Sequence, residues 1–162
     1  MSNHNLFIHS ADGAADPATA EQILAAARQV LSHRIRRGAS LSSPQDVRDF
    51  LAVRLGHLDY EVFGLILVDH RHRVIEFVEL FRGTIDGASV HPREVVKLVL
   101  DKEAAACLLV HNHPSQVAEF SQADELITKR LVSVLQSIDV RVLDHLLVTG
   151  GTVVSYAERG LL

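Results

Sequence analysis

At 162 residues, 48% of them hydrophobic and 22% charged, the chain has the length for one domain with a full core and a composition inside the globular range. Sixteen basic against twenty acidic residues leave a formal charge of -4, too mild to imply a polyanionic partner from net charge, and the single cysteine, Cys107, excludes an intramolecular disulfide and suits a reducing cytoplasm. No stretch reaches the roughly 18 apolar residues of a membrane span, and the first ten residues have neither a basic segment nor a long apolar one, so a cytoplasmic, unexported protein is expected.

In chain order, residues 1–16 are polar, carry no periodicity and read as a lead-in. Between Pro17 and Arg37, apolar residues at Ile23, Ala27, Val30 and Leu31 recur at helical spacing, with Gly38 as a stop. The end of this helix carries Arg28, His33, Arg34, Arg36 and Arg37, which suit the negative end of the helix dipole and could also make a weak nucleic-acid contact. A second helix opens at Pro44 and runs to about Leu55, with Val47, Phe50, Leu51 and Leu55 on one face and Gly56 ending it. The apolar run Val62–Val68 is predicted to be a strand buried on both faces, and a second run, Val74 to Phe81, is joined to it by the charged connection Asp69–Arg73 as a hairpin. A turn-rich stretch, 83–87, leads to a helix opened by Pro92, with Val95, Val96, Val99 and Leu100 expected to face inward. Then come a strand at 105–111, an amphipathic helix at 121–138 (Ile127, Leu131, Leu135, Ile138) and strands at 140–148 and 152–156 around Gly150 and Gly151. The sum is a mixed α/β domain, a mixed sheet with helices packed on it, over residues 43–162, preceded by a lead-in and helix over 1–42.

Chemistry concentrates in Leu108-Leu-Val-His-Asn-His-Pro-Ser115, where His111 and His113 end a buried strand. Period-two geometry turns both imidazoles to one face, able to converge on one ion, while Asn112 points to the other. Asp124, in the first turn of the next helix, offers a third ligand, and two nitrogens with one carboxylate oxygen leave the fourth tetrahedral position for water. Ordinary hydrogen-bonded histidines are the competing reading, and Ser121 with Asp124 could simply cap the helix, a role compatible with catalysis. His70-Arg-His72 has the same spacing but sits in the charged connection, and eleven residues beyond its second histidine stands Gly83 rather than an aspartate. It reads as solvated surface. His91 is expected to serve at the start of the helix opened by Pro92, and adjacent Asp144 and His145 fall on opposite strand faces, which favours structural roles.

The arrangement Glu61-Val-Phe-Gly-Leu, His111-Asn-His-Pro-Ser and Ser121-Gln-Ala-Asp124 resembles the JAMM motif of MPN+ metalloproteases. Within that superfamily it is most similar to bacterial RadC-like proteins, on Glu79-Leu-Phe-Arg-Gly-Thr-Ile-Asp86, Val90-His-Pro-Arg-Glu-Val-Val96, and the tail from Leu143-Asp-His through Ser155-Tyr-Ala-Glu-Arg-Gly-Leu-Leu162, covering about 43–162. The resemblance implies a JAB/MPN domain, a curved mixed β-sheet flanked by helices as in the cytidine-deaminase architecture. It also implies one Zn2+ per chain held by His111, His113 and Asp124, Glu61 as general base, and Ser121 as donor to the developing oxyanion; Glu79, in an equally apolar strand but in surroundings that match a different family segment, is the rival base. Longer family members carry an N-terminal helix-hairpin-helix segment; this chain resembles a short variant with the helix 17–37 in its place. Gln116 and Phe120 stand where the family usually has glycine and proline. Gln116 is expected to strain its turn if φ is positive, and Phe120 to loosen the approach to Ser121. The implied function is a zinc-dependent peptidase or isopeptidase with an unknown peptide or protein substrate. The alternatives are a DNA-associated metal-dependent phosphodiesterase or DNA-repair accessory protein, and a binding module used in assembly, against which the intact ligand set argues. No membrane partner is expected, and a homodimer is compatible with the sequence.

Overall fold

The structure, a computed structural model, describes residues 6–9, 13–41, 43–83 and 90–162, with the backbone alone at Arg34. The expected turn at 83–87 therefore lies, after Gly83, outside the described residues. The elements are β1 (Phe7–His9), β2 (Ala15–Pro17), α1 (Ala20–Arg34), α2 (Pro44–Leu55), β3 (Val62–Val68), β4 (Val74–Arg82), α3 (Pro92–Asp101), β5 (Ala106–Asn112), α4 (Gln122–Gln136), β6 (Arg141–Thr149) and β7 (Thr152–Ser155). None of the described helices is long and apolar enough to cross a membrane.

The main sheet has the order β4-β3-β5-β6-β7. All neighbours are antiparallel except β5 and β6, which run parallel because α4 carries the chain back between them. Each residue of β3 and of β5 is buried, as expected for strands covered on both faces. Alternation divides them between two layers. Val62, Ile66 and Val68 of β3, with Ala106, Leu108 and Val110 of β5, pack with Val47, Phe50, Leu51 and Leu55 of α2. Phe63, Leu65 and Leu67, with Cys107 and Leu109, pack with Val95 and Val99 of α3 and Leu131 and Leu135 of α4. Burial pushes the Cys107 thiol up to about 12, so it behaves as a small apolar side chain.

Two glycines are fixed by close approach. A Cβ at Gly64 would stand 2.7 Å from the carbonyl oxygen of Val78 and 3.2 Å from the Phe77 ring, at a point where the β3–β4 register shifts. At Gly56 a Cβ would collide with the Gly150 carbonyl oxygen, so the end of α2 is pressed directly onto the β6–β7 turn.

Three expectations differ from the structure. The lead-in contains a small antiparallel pair, β1 with β2, every residue of which is exposed; backbone pairing alone makes it, so no apolar pattern announced it. The first helix is shorter than 17–37 because a capping box at Thr19 and Gln22 starts it, and Val30, expected inward, is 58% exposed. On α3 only Val95 and Val99 are fully buried, whereas Leu100 is 57% exposed. Helical spacing gives the direction of an apolar face but overstates its width where one sheet layer covers it.

Candidate metal centre

His111 extends the row Cys107, Leu109 on the α3 and α4 face of β5, and His113 follows two residues later just past the strand end. The loop after Pro114 then returns the chain to Ser121, which caps α4 and places Asp124 at the third helical residue. His111, His113 and Asp124 converge: His111 Nε2 lies 3.1 Å from His113 Nε2 and 3.3 Å from Asp124 Oδ1, and His113 Nε2 lies 3.3 Å from Asp124 Oδ2. His111 and His113 approach different Asp124 oxygens; with one ligand atom taken from each residue the three lie within 4.8 Å of one another, close enough to converge on one ion, and the donor types suit zinc. Among the described residues this is the only such group of three histidine, cysteine or acidic side chains. His70 and His72 do not join one.

Hydrogen bonds aim these side chains. His113 Nδ1 donates to the Val117 carbonyl at 3.0 Å, which turns Nε2 toward its partners. Asp124 Oδ2 accepts from the Ser121 amide and from the Ser121 hydroxyl, both at 2.7 Å, while the Ser121 oxygen accepts the Asp124 amide at 3.2 Å. Capping and ligand placement are therefore one arrangement. The hydrogen bond with Asp124 holds the His113 pKa above its ordinary value against the opposing effect of burial. For Asp124 burial alone would raise the pKa, but the two histidines beside it and the Ser121 hydroxyl outweigh it and hold the carboxyl well below the usual carboxylate range.

Glu61 immediately precedes β3 and is half-buried. Its charge makes the smallest of the contributions that raise the pKa of His113. Asn112, on the opposite face of β5, straddles it: Oδ1 accepts from the Val62 amide at 2.8 Å and Nδ2 donates to the Tyr60 carbonyl at 3.0 Å. The rival Glu79 is instead ion-paired with Arg54 at 2.9 Å. His91 sits at the start of α3 with its ring against Phe81, as expected, and Arg28 donates to His57 at 3.0 Å.

For Asp144 and His145 the sequence favoured structural roles, and the contact of His145 with a ligand is what it did not show. Asp144 is structural, accepting from the Ser155 hydroxyl and the amides of His145 and Ala157. His145, on the other face, is completely buried, with Nε2 2.8 Å from His111 Nδ1 and Nδ1 2.6 Å from the Thr128 hydroxyl. Burial and then the neighbouring His111 hold its pKa well below the ordinary histidine value. The alternation of Asp144 and His145 was legible, but the face each takes depends on β6 lying beside β5 with Leu109 opposite His145.

The two departures behave differently. Gln116 has φ +61, so the strain expected of a side chain there is present. Phe120 does not loosen the loop; its ring packs 5.8 Å from that of His111, 5.2 Å from His145 and 4.9 Å from Tyr156, closing one side of the group. A cavity of about 250 Å³ lined by Gly56, His57, Asp59, Asn112, His113 and Gln116, among others, opens on another side.

Residues 41–161 match the RadC-like JAB domain family. The chain is 56% identical over 150 residues to a UPF0758 protein of Thioalkalivibrio sulfidiphilus, covering 93% of this chain and 67% of that one. It is 56% and 57% identical over 134 residues to UPF0758 proteins of Shewanella sp. (strain ANA-3) and Shewanella amazonensis, in each case over 83% of this chain and 60% of the relative. The chain thus spans about two thirds or less of the length of these curated relatives.

Proposed function

The chain belongs to the RadC-like JAB domain family, which supports a JAMM-type metal-dependent hydrolase at the level of the superfamily, and from that premise we propose that it is a zinc-dependent peptidase or isopeptidase. The observation that carries this reading is the convergence of His111 Nε2, His113 Nε2 and an Asp124 carboxylate at separations of 3.1 to 3.3 Å, with no fourth ligand among the described residues. Such a set suits a catalytic rather than a structural zinc.

When bound, zinc would act as a Lewis acid that lowers the pKa of a coordinated water from about 15.7 toward 7. The chain's own residues do the rest. Glu61, held in place through Asn112, takes the proton of the attacking water and returns it to the leaving amine. Ser121 donates to the oxyanion that develops on the scissile carbonyl, for which its hydroxyl must rotate away from Asp124 Oδ2. Phe120 keeps water from that side of the ligands, and the cavity beside His113 offers room for the chain flanking the scissile bond.

The test is a screen of zinc-loaded and chelator-stripped protein against peptide, isopeptide and DNA substrates. Zinc-dependent cleavage of an amide bond, abolished in Glu61→Gln, is expected. Cleavage of DNA alone would move the reaction to a phosphodiester, and no metal-dependent cleavage of any substrate with no zinc uptake would overturn the hydrolase reading.

A further inference from the structure

Four groups in a row, three of them buried, determine where the proton of one metal ligand, His111, sits. The Thr128 hydroxyl oxygen lies 2.5 Å from the Asp124 backbone carbonyl, one turn earlier on α4. A carbonyl cannot donate, so the hydroxyl hydrogen points at it. The hydroxyl has one hydrogen, so toward His145, 2.6 Å away, it can only accept, and His145 Nδ1 carries the proton. His145 Nε2 is then an acceptor, and the His111 Nδ1 at 2.8 Å must donate to it. This leaves the lone pair of His111 on Nε2, the atom that faces His113 and Asp124. Thr128, His111 and His145 are all at most 1% exposed, so water does not offer any of them a substitute partner.

From this chain, and resting on the metal-site reading above, we propose that Thr128 and His145 are positioning residues that hold His111 in the Nδ1–H tautomer with a bare Nε2 ready to bind the metal. The chain begins on the backbone of one ligand, Asp124, and ends on the ring of another, His111, so it also ties the helix-borne ligand to the strand-borne one. The group that accepts the other N–H of a metal-binding histidine is usually a carboxylate or backbone carbonyl. Here a neutral imidazole takes that place, and its acceptor nitrogen exists only because Thr128 takes up the proton on the opposite side of the ring. If Thr128 could not accept, the His145 proton would be free to move to Nε2, where it would confront His111 Nδ1 and favour a His111 with Nε2–H, the form that cannot ligate.

The proposal separates from simple core packing at Thr128. Valine has nearly the same shape but no hydroxyl, so packing alone predicts that Thr128→Val keeps its affinity for zinc. Our account predicts a zinc dissociation constant raised about 10- to 100-fold, restored toward wild type in Thr128→Ser, in competition titrations with a chromophoric chelator. The second measurement needs no metal: two-bond proton–nitrogen correlation spectra of the metal-free wild-type protein should show His145 protonated on Nδ1 and not on Nε2, with that pattern lost in Thr128→Val. A His145 found with Nε2–H in the wild type, or a Thr128→Val protein with unchanged zinc affinity, overturns the proposal. Should the wild type take up no zinc, the metal-site reading falls, while the tautomer of His145 still decides the proton chain. Thermal melts of both variants show that the folded proteins are being compared.

Discussion

Two histidine pairs with the same spacing have opposite fates in this protein. His70 and His72 occupy the turn between β3 and β4, exposed, with His72 at φ +55 and its ring accepting from Arg141 at 3.3 Å. That turn is organised by Asp69, which accepts from the amides of Arg71 and Arg73 and pairs with the Arg73 guanidinium at 2.7 Å. His111 and His113 end the central strand of the sheet, between covering layers, where a third ligand and a buried histidine partner arrive from other elements. Sequence spacing supplies two imidazoles on one side; only burial and convergence make them a site.

The sharpest way to break this comparison is to remove ligands from each pair. His113→Ala or Asp124→Ala should abolish stable zinc binding, because two remaining side chains seldom hold the ion, while His70→Ala and His72→Ala should keep about one zinc per chain by atomic emission. Loss of zinc in a turn variant would reverse the assignment. Next in size, Glu61→Gln should retain zinc and lose at least about 100-fold in kcat on whichever substrate the screen yields. Equal loss in Glu79→Gln, with Glu61→Gln active, would transfer the base to the Arg54 partner.

Gly56→Ala tests the scaffold beneath His113, since the added methyl must displace the Gly150 carbonyl; a loss of about 2 kcal/mol in urea unfolding is expected. Gln116→Gly should act the other way, relieving a left-handed backbone and stabilising the protein by about 0.5–1 kcal/mol. An unchanged midpoint would show that the Gln116 side chain compensates the strain. The smallest effect belongs to the turn. The Asp69 carboxyl is lowered to about 2, chiefly by the Arg73 amide, from an ordinary 3.8, so its contribution is present above 3.8 and disappears as the pH falls toward 2. Asp69→Asn should flatten the stability profile across that window by lowering stability above it, near neutrality included, and leaving it unchanged below about pH 2.

Much of this was readable in the sequence for physical reasons. The boundaries Pro44 and Leu55 follow from a proline that opens a helix and a glycine that ends it, and β3 from seven consecutive residues without a charge. The ligands were readable because a two-residue step on a strand and a capping turn on a helix fix side-chain direction locally. His145 was not, because its neighbours are set by which strand lies next to β6, and neither was the exposed β1–β2 pair, which is made by the backbone.

The most direct test of the central claim is a crystal structure of the protein loaded with one equivalent of zinc, with diffraction recorded on both sides of the zinc absorption edge. The account predicts a single anomalous peak bonded to His111 Nε2, His113 Nε2 and an Asp124 carboxylate oxygen, with Glu61 outside the bonded set. A peak on His70 or His72, or none between the three ligands, would contradict it.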